Sequence, residues 1–319
     1  MELRNYRGLQ QGEILDEVAF ERMPYGVASR HYGMVDSGLP EDLEAYGASK
    51  SAVSARFARA TGEIVQQFLH RPIDARLLVV YVDAIFLGSH AILVALGVDE
   101  AGHKHILGIR EGSTENAAVT VALLEDLAAR GLHARQGLLF VVDGSKAITA
   151  AVAQVFGGTP WYSGAHKRRN IVEHLPKREQ GWVNLRLSTA WAQSDAVRAK
   201  QDLEVLAKEL EVKHPGAAAS LREGFEQTLT VQKLGLPAPL RRGLRTTNAI
   251  EALNSQIRAT VRRVSRFTTG DQALRLATVA ALRVEPRLYR IAGYSHLPLL
   301  AQALEVYAGR LEEATACAS

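Results

Sequence analysis

One stretch constrains the fold of this chain more than any other: residues 76–86, Arg-Leu-Leu-Val-Val-Tyr-Val-Asp-Ala-Ile-Phe. A nearly unbroken apolar run of this length, rich in β-branched and aromatic residues, is the signature of a strand buried on both faces. It carries a single acid, Asp83. A carboxylate in such surroundings is costly unless a partner or a cation holds it. Two readings are open at this point. Asp83 either ends the strand and caps a turn, or it is a metal ligand or catalytic acid.

Beyond Arg71-Pro72 the rest of the pattern is α/β. Residues 91–98 and 105–109 read as second and third strands, joined by a turn at 99–102. Apolar spacing predicts a helix over 115–130, stopped by Gly131, and residues 138–142 form a fourth strand ending in Asp143-Gly144. A helix over 146–156 and a short strand at 159–162 follow. Three antiparallel strands followed by crossover units give a mixed sheet covered by helices, the ribonuclease H-like arrangement. In that layout strand one is central with strand four beside it, so Asp83 and Asp143 meet on neighbouring strands.

Residues 166–240 show no strand signal and read as an all-helical insertion, closed by Leu236-Pro-Ala-Pro239. The next helix spans 246–264, with Thr247 or Asn248 as N-cap and Glu251 in its first turn, where the helix dipole favours a carboxylate. Before the sheet, residues 39–46 and a helix capped by Ser49 and running through Arg59 describe a helix-turn-helix, or any small helical hairpin. In the first case Ser49, Lys50, Ser51, Ser54 and Arg56 are the DNA-facing residues. The boundaries are then 1–70 for an N-terminal helical region, 71–165 and 241–319 for two parts of a core, and 166–240 for the insertion.

Composition narrows the classes. The 319 residues are 47% hydrophobic and 23% charged, as in an ordinary globular chain, with 38 Lys and Arg against 34 Asp and Glu. The lone cysteine, Cys317, excludes internal disulfides and cysteine-based zinc sites. Neither a signal-peptide core nor a membrane-length apolar run is present, which points to the cytoplasm. There is no Walker loop, dinucleotide fingerprint or Gly-x-Ser-x-Gly elbow, so ATP, NAD and serine-hydrolase chemistry are not expected. His103 and His105 have no partner in the sequence pattern and read as structural.

Asp83, Asp143 and Glu251 are 60 and 108 residues apart, in the order a ribonuclease H-like site requires. Carboxylates from three elements suit two Mg²⁺ (or Mn²⁺) ions, one activating an attacking oxygen and one stabilising a leaving oxygen at phosphorus. Basic groups flank these positions. His166-Lys167-Arg168-Arg169 follows the fifth strand, Arg241, Arg242 and Arg245 precede Glu251, and Arg258, Arg262, Arg263 and Arg266 follow it. Between Arg241 and Arg266 the only acid is Glu251, which favours a phosphate-contacting stripe over an ordinary solvated surface.

These residues carry a resemblance. Ser49-Lys-Ser-Ala-Val-Ser54, Val82-Asp-Ala84, Gly108-Ile-Arg-Glu-Gly112, Glu115-Asn116, Arg130-Gly-Leu132, Val142-Asp-Gly-Ser-Lys146, His166-Lys-Arg-Arg-Asn170 and Thr246-Thr-Asn-Ala-Ile-Glu251 are similar to the mutator-type bacterial insertion-sequence transposases, a branch of the DDE (Asp-Asp-Glu) superfamily. The resemblance runs from about residue 26 to 304 and implies a catalytic triad of Asp83, Asp143 and Glu251. It also implies an N-terminal DNA-binding region, double-stranded DNA as partner (terminal inverted repeats and target), homo-oligomers on DNA and a place at the bacterial nucleoid. Two departures stand out. Family members usually show Cys-x-x-His after the fifth strand, where this chain has Ser163 and His166, the latter a supporting residue or simply a packed or solvent-facing histidine. They are usually longer at the N-terminus, so part of the end-recognition region is expected to be missing. Both departures also fit a non-catalytic remnant that binds element ends as a repressor. A ribonuclease H-like nuclease is the other alternative.

Overall fold

The computed structural model describes residues 50–112, 116–134, 137–142, 145–157, 161–162, 164–223, 225–264 and 266–316. The first helix expected before the sheet, and Ser49, lie outside the described residues. Helix α1 (Lys50–Leu69) extends well beyond Arg59. Gly62 sits within it, because Thr61, Val65 and Phe68 form a buried stripe at helical spacing that packs the helix onward. Lys50, Ser51, Ser54 and Arg56 fall in its first two turns.

The sheet contains β1 (Leu77–Leu87), β2 (His90–Asp99), β3 (Lys104–Glu111), β4 (Leu139–Val142) and β5 (Trp161–Tyr162), in the order β3-β2-β1-β4-β5. β1 pairs antiparallel with β2 (Asp83↔Val94) and parallel with β4 (Val82↔Val142), and β4 pairs parallel with β5. The long apolar strand is therefore central, which explains why it has no polar face. Asp83 lies inside β1, four residues before its end, so the reading of a strand-ending cap is overturned.

Strand alternation sorts the side chains into two layers. Tyr81 and Ile85 join a core with Ile250, Leu253, Ile257 and Leu276, built on α11 (Asn248–Thr260) and α12 (Gly270–Val284). Val80 and Val82 face Leu124 and Ile148 on α2 (Ala117–Ala129) and α3 (Lys146–Phe156). Asn116 and Ser145 cap those two helices by accepting from Val119 N and Ile148 N. Asp83 has the parity of Tyr81 and Ile85, and so belongs to the layer that α11 covers.

A third apolar cluster is wholly helical. It is made by α4 (Gly164–Glu173), α5 (Lys177–Ala192), α6 (Ala196–Lys213) and α7 (Pro215–Arg222), with Trp191, Leu187, Leu203 and Leu221 at its centre. Two one-turn helices, α8 (Phe225–Thr228) and α9 (Thr230–Lys233), and α10 (Ala238–Leu244) lead back to α11. The last helix among the described residues is α13 (Leu297–Ala316). No helix among the described residues is long and apolar enough to cross a membrane.

Asp99 at the end of β2 shows how the histidines are used. Its carboxylate accepts from His103 N (2.8 Å) and pairs with His105 Nε2 at 2.8 Å. Burial alone would raise its pKa, but these hydrogen bonds and the two imidazoles outweigh that and hold it below its ordinary value of 3.8. A depressed folded-state pKa contributes stability that is complete above 3.8 and is lost as the pH falls through the lower folded value. Asp99→Asn is therefore expected to be less stable than wild type at neutral pH, and the gap should close in acid. Urea titrations across pH 2–7 check this, and a pH-independent gap would remove the ionic explanation.

Candidate active site

Helix α11 follows Thr247, whose hydroxyl does not cap the helix but donates to Glu251 Oε1 at 2.6 Å. Its buried stripe is Ile250, Leu253, Asn254 and Ile257. Three of the four are apolar and one is an amide, fully buried. Asn254 Nδ2 donates to Asp83 Oδ2 at 2.8 Å, a contact between residues 171 apart in sequence. This bond fastens α11 onto β1. Glu251, exposed and one turn before Asn254, lies about 4.5 Å along the same helix from the residue that holds Asp83. Asp143 lies outside the described residues; Val142, immediately before it, pairs with Val82, immediately before Asp83.

Among the described residues, two buried polar atoms on this layer have no hydrogen-bond partner: Asn254 Oδ1 and the Tyr81 hydroxyl. Burial pushes the Tyr81 phenol far above its ordinary pKa. An unsatisfied amide oxygen beside a carboxylate is a set of hard oxygen donors, the kind that Mg²⁺ or Mn²⁺ takes. The residues thus fit a divalent ion, although among the described residues no three His, Cys, Asp or Glu side chains gather as a metal centre. Sequence reasoning missed Asn254. The signal that could have found it is an amide in an otherwise apolar stripe, one turn after Glu251.

The basic groups divide into two kinds. Arg258, Arg262, Arg263 and Arg169 are exposed. Lys167 pairs instead with Glu223 at 3.4 Å, and burial draws its pKa down against the pull of that acid. Arg168 stacks over the Trp191 ring at 5.6 Å. Arg241 and Arg245, read as part of the basic flank, donate to the carbonyls of Gln193 and Trp191 at the C-terminal end of α5. Those carbonyls are the negative end of a helix dipole, so the two arginines join the helical cluster to the core. Burial, then the neighbouring Arg168, Arg241 and Arg242, lower the Arg245 pKa. His166 falls in the first turn of α4, and Ser163 lies outside the described residues.

Comparison with known proteins decides the family. The sequence matches the family described as Transposase, Mutator family, over residues 12–285. The chain belongs to the Mutator family of transposases. Similar proteins include the transposase for insertion sequence element ISRM5 of Rhizobium meliloti (strain 1021), 28% identical over 77% of this chain and 63% of the relative. The transposase for IST2 of Acidithiobacillus ferrooxidans is 30% identical over 61% of this chain and 66% of the relative. That for IS1081 of Mycobacterium tuberculosis (strain ATCC 25618 / H37Rv) is 29% identical over 82% and 64%. The chain therefore spans a little under two thirds of the length of each.

Some of the residues that carried the resemblance have architectural contacts. Arg130 and Gly131 tie the end of α2 to neighbouring backbone, and Gly112 donates to Ala91 O at 2.8 Å where β3 ends. A Cβ on Gly112 would lie 2.4 Å from a Val119 methyl. Those contacts fasten the end of α2 and the end of β3 to neighbouring backbone.

Proposed function

We propose that this chain carries the catalytic part of an insertion-sequence transposase, cleaving element ends and joining them to target DNA at Asp83, Asp143 and Glu251. The observation that carries this reading is the Asn254–Asp83 hydrogen bond, which fastens α11, one turn after Glu251, to the only acid of β1. The sheet order, with three antiparallel strands and then two parallel ones, supports a ribonuclease H-like core. The division into residues 1–70, 71–165, 166–240 and 241–319 is supported by the separate helical cluster of residues 171–229. An N-terminal helix-turn-helix and assembly of copies on two DNA ends complete the proposal.

The carboxylates of Asp83, Asp143 and Glu251 would hold two Mg²⁺ or Mn²⁺ ions, which when bound promote in-line displacement at phosphorus. Asn254 fixes one oxygen of Asp83, and the Thr247 hydroxyl fixes one oxygen of Glu251, so neither carboxylate has to be ordered when substrate arrives. Exposed Arg258, Arg262, Arg263 and Arg169 would contact backbone phosphates. His166 supports the site from the start of α4.

The test is incubation with duplex DNA bearing the element ends, with Mg²⁺ or Mn²⁺ and a target plasmid. A transposase nicks at the ends and joins the new 3′-hydroxyl to target. Cutting without joining would select a nuclease, and binding without cutting would select the repressor reading, which Ser163 favours. Asn254→Ala should lower cleavage about 10–100-fold and raise the Mg²⁺ concentration required, as loss of a residue that orients a metal ligand does. A Mg²⁺ titration superimposable on wild type would deny Asn254 that positioning role.

A further inference from the structure

A cavity of about 480 Å³ opens at the N-terminal end of α11, lined among others by Lys104, Arg242, Arg290, Thr246, Asn248 and Ala249. Three cationic side chains line it, and no acid does among the described residues. Among the described residues, no acceptor engages the Lys104 ammonium or the Arg242 guanidinium. Lys104 is half-buried at the start of β3, and burial lowers its pKa. Arg290 is held in place without being neutralised. Its Nε donates to His103 Nε2 at 3.0 Å and its guanidinium lies 5.0 Å from the Tyr294 ring centre.

The helix end adds a second, independent feature. The Thr247 hydroxyl, the natural N-cap, is committed to Glu251, so no side chain caps α11. Among the described residues no backbone acceptor outside the helix engages the first-turn N–H groups of Asn248 and Ala249, two residues of the cavity wall. Uncapped amides, a positive helix end and three cations are what a tetrahedral, multiply charged oxyanion requires.

We propose that this cavity seats a phosphate group, and that in the working protein it is a backbone phosphate of the DNA substrate, outside the reacting bond. The DNA half of this proposal rests on the transposase reading; the phosphate half does not. Asn248 precedes Asn254 by six residues, about 9 Å along α11. With a duplex axis running along α11, at about 3.4 Å of rise per nucleotide, a phosphate held here would lie roughly three nucleotides from the one at Asp83. The cavity would thus set the register of the strand on the catalytic acids.

The experiment compares wild type with Lys104→Gln/Arg242→Gln, whose charged groups make no hydrogen bond or ion pair among the described residues, so the thermal midpoint should be retained. Binding to duplex DNA is measured in EDTA across a salt series. The double variant is expected to bind about 10-fold more weakly, with the slope of log K against log salt reduced by about 1–2. Equal affinity and equal slope would overturn DNA seating. A second arm titrates inorganic phosphate against the thermal midpoint. Stabilisation of wild type that the double variant lacks supports the anion site, and equal response of the two overturns it. If phosphate discriminates the proteins while DNA does not, the cavity takes free phosphate and the DNA assignment falls. If wild type binds no duplex even at low salt, the transposase reading falls, and the phosphate arm alone decides the cavity.

Discussion

Asp83→Asn is expected to lower metal-dependent DNA cleavage by about 10³-fold or more while the protein stays folded. The substitution keeps shape and volume but removes the charge that a divalent cation needs. The amide oxygen it introduces in place of the carboxylate can still accept from Asn254 Nδ2, so the fastening of α11 to β1 survives. Stability should change by no more than about 1 kcal/mol, the scale of one neutral hydrogen bond. Nicking of element-end DNA, circular dichroism and duplex binding in EDTA report the three quantities separately. Asp99→Asn is the matching control, an acid on β2 whose partners are His103 and His105, and it should keep its cleavage rate once stability is corrected for. If Asp83→Asn cuts as fast as wild type, the triad is wrong whatever the family.

Arg130→Met should lower stability by about 3 kcal/mol, the sum of charge-assisted bonds lost and carbonyls left buried without donors. The Arg130 side chain is only 9% exposed, so water cannot replace what it donates. Its Nε and terminal nitrogens reach Asp126 Oδ2 (3.0 Å), Arg71 O (3.0 Å) and Leu107 O (2.6 Å). Leu107 lies at the irregularity between β2 and β3, where the ladder skips a residue. Next in sequence, Gly131 adopts φ +115° under Ile73 O, which a Cβ would approach to 2.8 Å, and Ile73 N donates to Arg130 O at 2.8 Å. The pair thus fastens the α1–β1 connection, the end of α2 and the edge strand. Urea unfolding measures the loss, and a change under about 1 kcal/mol would mean that the three carbonyl and carboxylate acceptors find other donors. Arg130→Lys should recover only part, since an ammonium lacks the planar fork.

Much of this was legible in the residues. The apolar run of β1 foretold a central strand because a strand buried on both faces has no polar face to show. Periodicity placed the helix over 146–156 at its observed bounds, since its stop, Gly157, is itself a sequence signal. Less legible were the ends set by distant contacts. Gly62 did not stop α1, because Val65 and Phe68 had a core to reach. Arg241 and Arg245 look like a DNA-facing flank in sequence, and only the position of the α5 carbonyls turns them inward.

The sequence by itself determined the strand and helix order, the burial of β1 and the family, because these follow from local periodicity and from residue identity at a few positions. The tertiary structure alone decided that Asn254 holds Asp83, and that Lys104, Arg242 and Arg290 converge at the start of α11. The Asn254–Asp83 bond alone joins residues 171 apart in sequence. Pairing over such separations depends on how whole helices pack across the sheet, and nothing within a short window of sequence records that geometry.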